Sequence, residues 1–132
     1  MLVQDPYSVL KLAALIIGGV LTVVGALCDL IGAIGLLRFP NYFVRLHAAT
    51  VATIGGAVYP LFGVAIMSLA CDFLGVARWF ISAISFLTAI IITLTAPTGS
   101  HAVARAAHKA GVPVHPKACD LLEEDRKRGV VK

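Results

Sequence analysis

Charge is scarce in this chain, and acid is scarcer than base: charged residues are 14% of the total, with seven Asp and Glu against eleven Lys and Arg. A soluble domain carries about a quarter charged residues, so most of this chain is not built to face water. Cysteine is scarce as well. Cys28, Cys71 and Cys119 are an odd count with no CxxC pair, which argues against a disulfide framework or a paired-thiolate zinc site; Cys28 reads as small apolar filler inside a helix. No nucleic-acid motif or aromatic platform accompanies the basic excess, so nucleic acid is not an expected partner. No inverted repeat of the kind that marks a complete transporter is present. No catalytic constellation, metal-ligand set or cofactor motif stands out, so no metal and no cofactor is expected.

What the chain has instead is apolar length. The hydrophobic fraction is 59% and mean hydropathy is +0.93. The apolar residues gather into three stretches, at about residues 12–37, 48–70 and 78–96. About 20 such residues cross the hydrocarbon core as a helix. The reading is an all-α integral membrane protein with three transmembrane helices, a membrane domain over 1–99 and a tail over 100–132. Asp5 and Pro6 fit the N-cap and first turn of the first helix. That stretch exceeds one crossing, so it tilts or protrudes; it is too long, and lacks the basic leader, for a signal peptide. Pro60 interrupts the second span, and Pro97 is expected to end the third. The link 71–77 is short, so the second and third spans should form an antiparallel pair.

Basic residues set the direction of insertion. Three crossings place the two ends on opposite sides. Arg38 and Arg45 then share a side with the seven Lys and Arg that follow Pro97, nine in all, against Lys11 and Arg78 on the other. The expectation is a multi-pass protein of the cytoplasmic membrane with its N-terminus outside and its C-terminus in the cytoplasm.

Small residues are arranged on faces. Gly18, Gly25 and Gly32 repeat every seven residues; Ala48, Ala52 and Gly56 step by four, and Ala49, Gly56 and Gly63 by seven. Lipid gives no hydrophobic reward for helix association, so close approach through small residues supplies it. Such faces on several sides lead one to expect helices from other chains, with packing inside this chain as the alternative.

Asp29 is the outlier. It lies nine residues before Arg38, about 13 Å deeper along a helix. A carboxylate at mid-span costs about 2.5–3.5 kcal/mol on the insertion scale, so it faces water, pairs with a partner or stays protonated. Each outcome suits proton or sodium traffic; the alternative is a structural hydrogen bond to a neighbouring chain. The run RFPNYFVRLHAATVAT (38–53) is the second feature. Arg38 and Pro40 close the first helix, and Asn41 can cap the next. His47, Thr50 and Thr53 step by three, a polar stripe entering the bilayer. Histidine changes charge near neutral pH, which suits a proton relay; equally, Arg45 and His47 anchor a helix among lipid headgroups or hold a partner subunit. Pro60 frees a backbone carbonyl, which either binds a cation or makes a kink. Asp72 reads as a solvated loop residue.

In the tail, His101, Arg105 and His108 fall at i, i+4 and i+7 within SHAVARAAHKAG, predicting a short amphipathic helix on the cytoplasmic surface, closed by Gly111. The two histidines are two turns apart with no carboxylate between them, a poor metal site. DLLEEDRKRG reads as a solvated or docking segment.

The run GAIGLLRFPNYFVRLHAATVATIGG (32–56) resembles the signature of the G subunit of Mrp-type multisubunit cation/proton antiporters. That signature reads G-x-x-R-x-P-D-x-x-x-R-x-H-A-x-x-K-x-x-T-x-G; Gly35, Arg38, Pro40, Arg45, His47 and Ala48 match it in register, and Thr53 and Gly55 stand one place before its Thr and last Gly. APTGSHAVARAAHKAGV and DLLEED also resemble the family's later segments. Asn41 stands where the family usually has Asp, and Val51 where it commonly has Lys. The resemblance implies a non-catalytic subunit that forms or braces a Na+ and proton path with other membrane subunits. Candidates for the path are Asp29, His47, Thr50 and Thr53; Arg38, Pro40, Arg45, Gly56 and Pro60 are candidates for structure or subunit contact. Similar subunits occur in the membrane arm of energy-converting hydrogenases and sulfur-reducing complexes of archaea, which is the alternative setting.

Overall fold

A computed structural model of the chain describes residues 6–113 and 127–129. The elements are α1 (Pro6–Arg38), α2 (Tyr42–Val51), a π-helical segment (Ala52–Val58), α3 (Tyr59–Ala70), a 3-10 turn (Asp72–Leu74) and α4 (Ala77–Lys109). Three helices among the described residues are long and apolar enough to cross a membrane: Tyr7–Arg38, Tyr42–Ala70 and Ala77–Lys109. The all-α, three-span reading therefore stands. Pro6 opens α1 as expected; Asp5, expected as its cap, lies outside the described residues. Arg38 ends α1, and Asn41 takes the extended N-cap backbone of α2 at φ −102° and ψ 139°.

Two expectations about proline are corrected. Pro97 does not end the third helix; α4 runs through it to Lys109, so the tail helix is the last part of the third span's own rod. One missing N–H removes a single main-chain bond, the one to the Thr93 carbonyl four residues back, and a helix within a bundle tolerates that loss. The hydroxyls of Thr95, Thr98 and Ser100 on either side of the proline bond to other carbonyls, those of Ile91, Leu94 and Ala96, at 2.8, 3.3 and 2.9 Å. The helix does close at Gly111, with φ 74° and a Val112 N–H to Ala107 carbonyl bond of 3.1 Å, a left-handed cap that glycine adopts readily. Pro60 does not break the second span either. α2, the π segment and α3 run on as one rod, and the widened turns before Pro60 give its ring room against the carbonyl four residues back.

The second rod is the middle of the molecule. α1 packs along one side of it and α4 along the other, with little contact between α1 and α4 among the described residues. The buried side chains are small: Ala48, Val58, Ala65, Ser68 and Ala70 on the second rod, and Ser85, Ala89 and Ala107 on α4. The heptad glycines of α1 make the seam. Gly32 faces Ala48 and Ala52, Gly25 faces Pro60 and Gly55, and Gly18 faces Gly63 and Met67. The small-residue faces expected to receive other chains are thus largely used inside this one. Close backbone approach is what holds helices together where water exclusion cannot.

At one end of the bundle Asp72 accepts hydrogen bonds from Lys11 of α1 and, at 2.6 Å, from Arg78 of α4. Asp72 is therefore not a merely solvated loop acid: it ties the start of α1 to the link and to α4. The Lys11 hydrogen bond holds its carboxyl below the ordinary value, against some desolvation, with the charge of Lys11 and the Arg78 contacts adding to the lowering. A depressed carboxyl stabilises the fold above its ordinary value, and the contribution disappears as pH falls through the lowered one. Detergent melts of Asp72→Asn against the parent should differ slightly at neutral pH, because the group is exposed. The difference should vanish in acid below the usual carboxylate range; one that persisted there would place the effect elsewhere than in the ion pairs.

Candidate functional site

Asp29 sits in the last third of α1, nine residues before its end at Arg38, and is exposed on the surface of the chain. Its root is not free. Asp29 rests on Gly56 of the π segment so closely that a Cβ on Gly56 would lie 2.7 Å from the Asp29 Cβ. Its neighbour Cys28 rests on Gly55 in the same way, at 2.8 Å from such a Cβ. Gly56 is the fourth residue before Pro60 and Gly55 the fifth. An α-helical bond to Gly56 or a π-helical bond to Gly55 would need an N–H at position 60, and proline has none. A main-chain carbonyl of this glycine pair therefore lacks its usual donor; the Gly55 carbonyl lies against Gly25, one turn of α1 from Asp29, which is the one carboxylate in the described spans. Carboxylate and carbonyl oxygens are the ligand types that hard cations take. Asp29 makes no hydrogen bond or ion pair with another described residue.

Of the expected residues, the structure thus sets Asp29 against Gly56, with Pro60 packed on Gly25 one turn before Asp29 on α1. It does not bring His47 to them: Ala48 beside it packs on Gly32 and Gly35, further along α1 than Asp29, and His47 is exposed on α2. Of the stripe below it, the Thr53 hydroxyl bonds back to the Ala49 carbonyl at 2.9 Å. The Thr50 hydroxyl bonds to the Leu46 carbonyl at 3.0 Å and meets the Ser100 hydroxyl at 2.9 Å. Thr50 is therefore a clasp between α2 and the end of α4. Ser100 escaped the sequence reading because a helix was expected to stop before it. Arg45 donates from Nε to the Phe39 carbonyl at 2.5 Å, which braces the turn at Pro40 and satisfies a carbonyl just past the end of α1. Arg38 is exposed at that end. Lys11, read in the sequence only as a charge that sets direction, was missed as a partner of Asp72; opposite charges at neighbouring helix ends, 11, 72 and 78, were a usable signal for it.

On α4 beyond Pro97, His101 and Arg105 line two adjoining clefts of about 430 and 300 Å³. No group of three His, Cys, Asp or Glu capable of holding a metal forms among the described residues.

A sequence profile of the Na+/H+ antiporter subunit family PhaG_MnhG_YufB matches residues 21–108, a stretch that includes Asp29, the π segment and the Thr50–Ser100 clasp. The mnhG2 protein of Staphylococcus aureus strain MRSA252, named as an antiporter subunit, is 35% identical over 105 residues, which is 80% of this chain and 68% of that protein. Its counterpart in strain JH9 is 35% identical over 102 residues, 77% of this chain and 66% of that protein. Among solved structures, a chain of the membrane-bound sulfane sulfur reductase (MBS), an archaeal respiratory membrane complex, superposes with a TM-score of 0.72 at 29% identity. That match covers 86% of this chain and 97% of the other.

Proposed function

The chain belongs to the G-subunit family of Mrp-type Na+/H+ antiporters, and from that premise we propose that it helps to form or brace a Na+ and proton path together with other membrane subunits. It is a small, non-catalytic membrane subunit. The observation that supports a role in the path is Asp29: a mid-span acid, open on the chain's own surface, seated on a π-helical glycine pair that Pro60 deprives of a donor. An acid at that depth faces water, protein or a counter-charge, and this chain supplies Asp29 with no partner among its described residues. Companion helices supply the missing surroundings. His47 and Thr53 lie nearer the Arg38–Arg45 end, as candidates for the approach to that point; Arg38, Pro40 and Arg45 hold the turn. The chain sits in the cytoplasmic membrane with its N-terminus outside, so that Arg38, Arg45 and the basic tail face the cytoplasm.

The test is dependence on this subunit. Everted vesicles carrying the whole assembly should show Na+-dependent proton movement that is lost when this chain alone is omitted and returns when it is restored. Unchanged transport without it would reject the proposal.

A second reading is favoured by the 97% coverage of a chain of the archaeal sulfane sulfur reductase complex. There the subunit would serve the membrane arm of a redox complex, and electrons would travel in other chains. Co-purification separates the two: antiporter chains alone support the first reading, and iron–sulfur or nickel–iron chains the second.

A further inference from the structure

One face of α4 changes character at the membrane boundary without a break in the helix. Ile84, Leu87, Ile91 and Leu94 are 64, 59, 50 and 69% exposed. They step by three and four residues, so they form a single aliphatic stripe. The same stepping continues through Thr98, His101, Arg105 and Lys109, and these four, over a floor of Ala102 and Ala106, line the cleft of about 430 Å³. About 20 residues cross the hydrocarbon core. Counted from Arg78, anchored by Asp72 at the other boundary, the crossing is complete near Thr98. His101 and Arg105 then stand at headgroup depth, and Lys109 reaches back toward it along its flexible stem. Arg105 and Lys109 pair with no described acid; the described acids are Asp29, within α1, and Asp72, at the opposite end.

We propose that this face binds one anionic phospholipid of the surrounding bilayer, its phosphate held by Arg105 and Lys109 with His101, and an acyl chain laid along Leu94, Ile91, Leu87 and Ile84. The match is one of charge and of order. Cation and aliphatic surface follow one another along the helix as phosphate and acyl chain do along the lipid. The continuity of α4 through Pro97 makes this possible, since a helix broken there would turn the cations away from the stripe. The proposal is independent of the path at Asp29, which lies on α1.

The test titrates the purified full chain in neutral detergent with phosphatidylglycerol, phosphatidylcholine or inorganic phosphate, and counts bound ligand by native mass spectrometry. Each interfacial cation contributes about fivefold in affinity for an anionic lipid, so Arg105→Gln with Lys109→Gln should weaken phosphatidylglycerol binding by roughly thirtyfold. Lys117→Gln with Lys132→Gln removes the same net charge from the sequence outside α4 and should leave binding within about twofold. Arg105→Lys with Lys109→Arg should retain most of it, which shows that the fold survives substitution at both sites. Phosphatidylcholine and inorganic phosphate should bind far more weakly than phosphatidylglycerol. Equal binding of the two lipids, phosphate binding as tight as the lipid, or an unaffected Gln double variant would each overturn the proposal. So would phosphatidylglycerol binding that emerges only after Asp120, Glu123, Glu124 and Asp125 are neutralised, because the chain's own acidic segment would then be the occupant.

Discussion

Asp29→Asn should cut Na+-dependent proton movement in vesicles by at least about tenfold while leaving the complex assembled on a native gel. The amide is nearly the same size, and Asp29 Cα and Cβ, which do the packing against Gly56, are unchanged by it. What the substitution removes is charge and the capacity to exchange a proton. Losing one partner of a desolvated charge interaction typically costs about 3–5 kcal/mol, and each 1.4 kcal/mol is about tenfold in binding. Asp29→Glu restores the carboxylate one methylene further from the π segment and should recover part of the rate. Asp29→Ala should match Asn in transport. If Asn supports full transport, Asp29 has no part in the path. If transport falls only because the complex falls apart, the acid is a subunit clamp.

The second large effect concerns packing. Gly25→Ala should destabilise the chain by about 1–3 kcal/mol, the usual range for an overfilled interior, and toward the upper end, because the new methyl would fall inside the Pro60 ring. A proline ring has no rotamer to retreat into. Gly19, six residues earlier, is the matched control: no atom lies within 4 Å of a Cβ placed there. Gly19→Ala should be neutral or stabilising by up to about 1 kcal/mol, since alanine is the better helix former. Melting temperature and yield of the assembled complex measure both. Equal behaviour of the two variants would mean that α1 does not pack on the second rod through its glycine face.

The spans, the turn at Arg38 and Pro40, the cap at Gly111 and the shared glycine face of α1 were legible because they depend on local pattern. Hydropathy gives length, a period of seven gives a face, and glycine with proline marks ends. Identity of the covering surface is not local. Gly18, Gly25 and Gly32 announce a close contact, but nothing in their spacing says that Met67, Pro60 and Ala52 of the same chain make it. Pro97 misled for a related reason. Its cost within the helix is one hydrogen bond, and contacts that hold the far end of α4, such as the Thr50–Ser100 clasp, act between helices and leave no local pattern. The π register before Pro60 was hidden because it is a choice among main-chain partners that side-chain periodicity barely records. At the candidate site, Asp29 stood out by charge alone, Gly56 and Pro60 by residue type, but their meeting is a product of that hidden register. His47 shared their sequence neighbourhood and not their place.

The proposed role in the path requires that Asp29, open on this chain, be enclosed by companion protein in the working assembly. Ala26 and Ala33 flank it one turn away on the same exposed face of α1. A photo-reactive amino acid placed at either position, illuminated in intact membranes, tests this most directly. A covalent adduct with another membrane subunit is expected from both positions. Adducts with lipid acyl chains alone, in membranes that retain full Na+-dependent proton movement, would contradict that role.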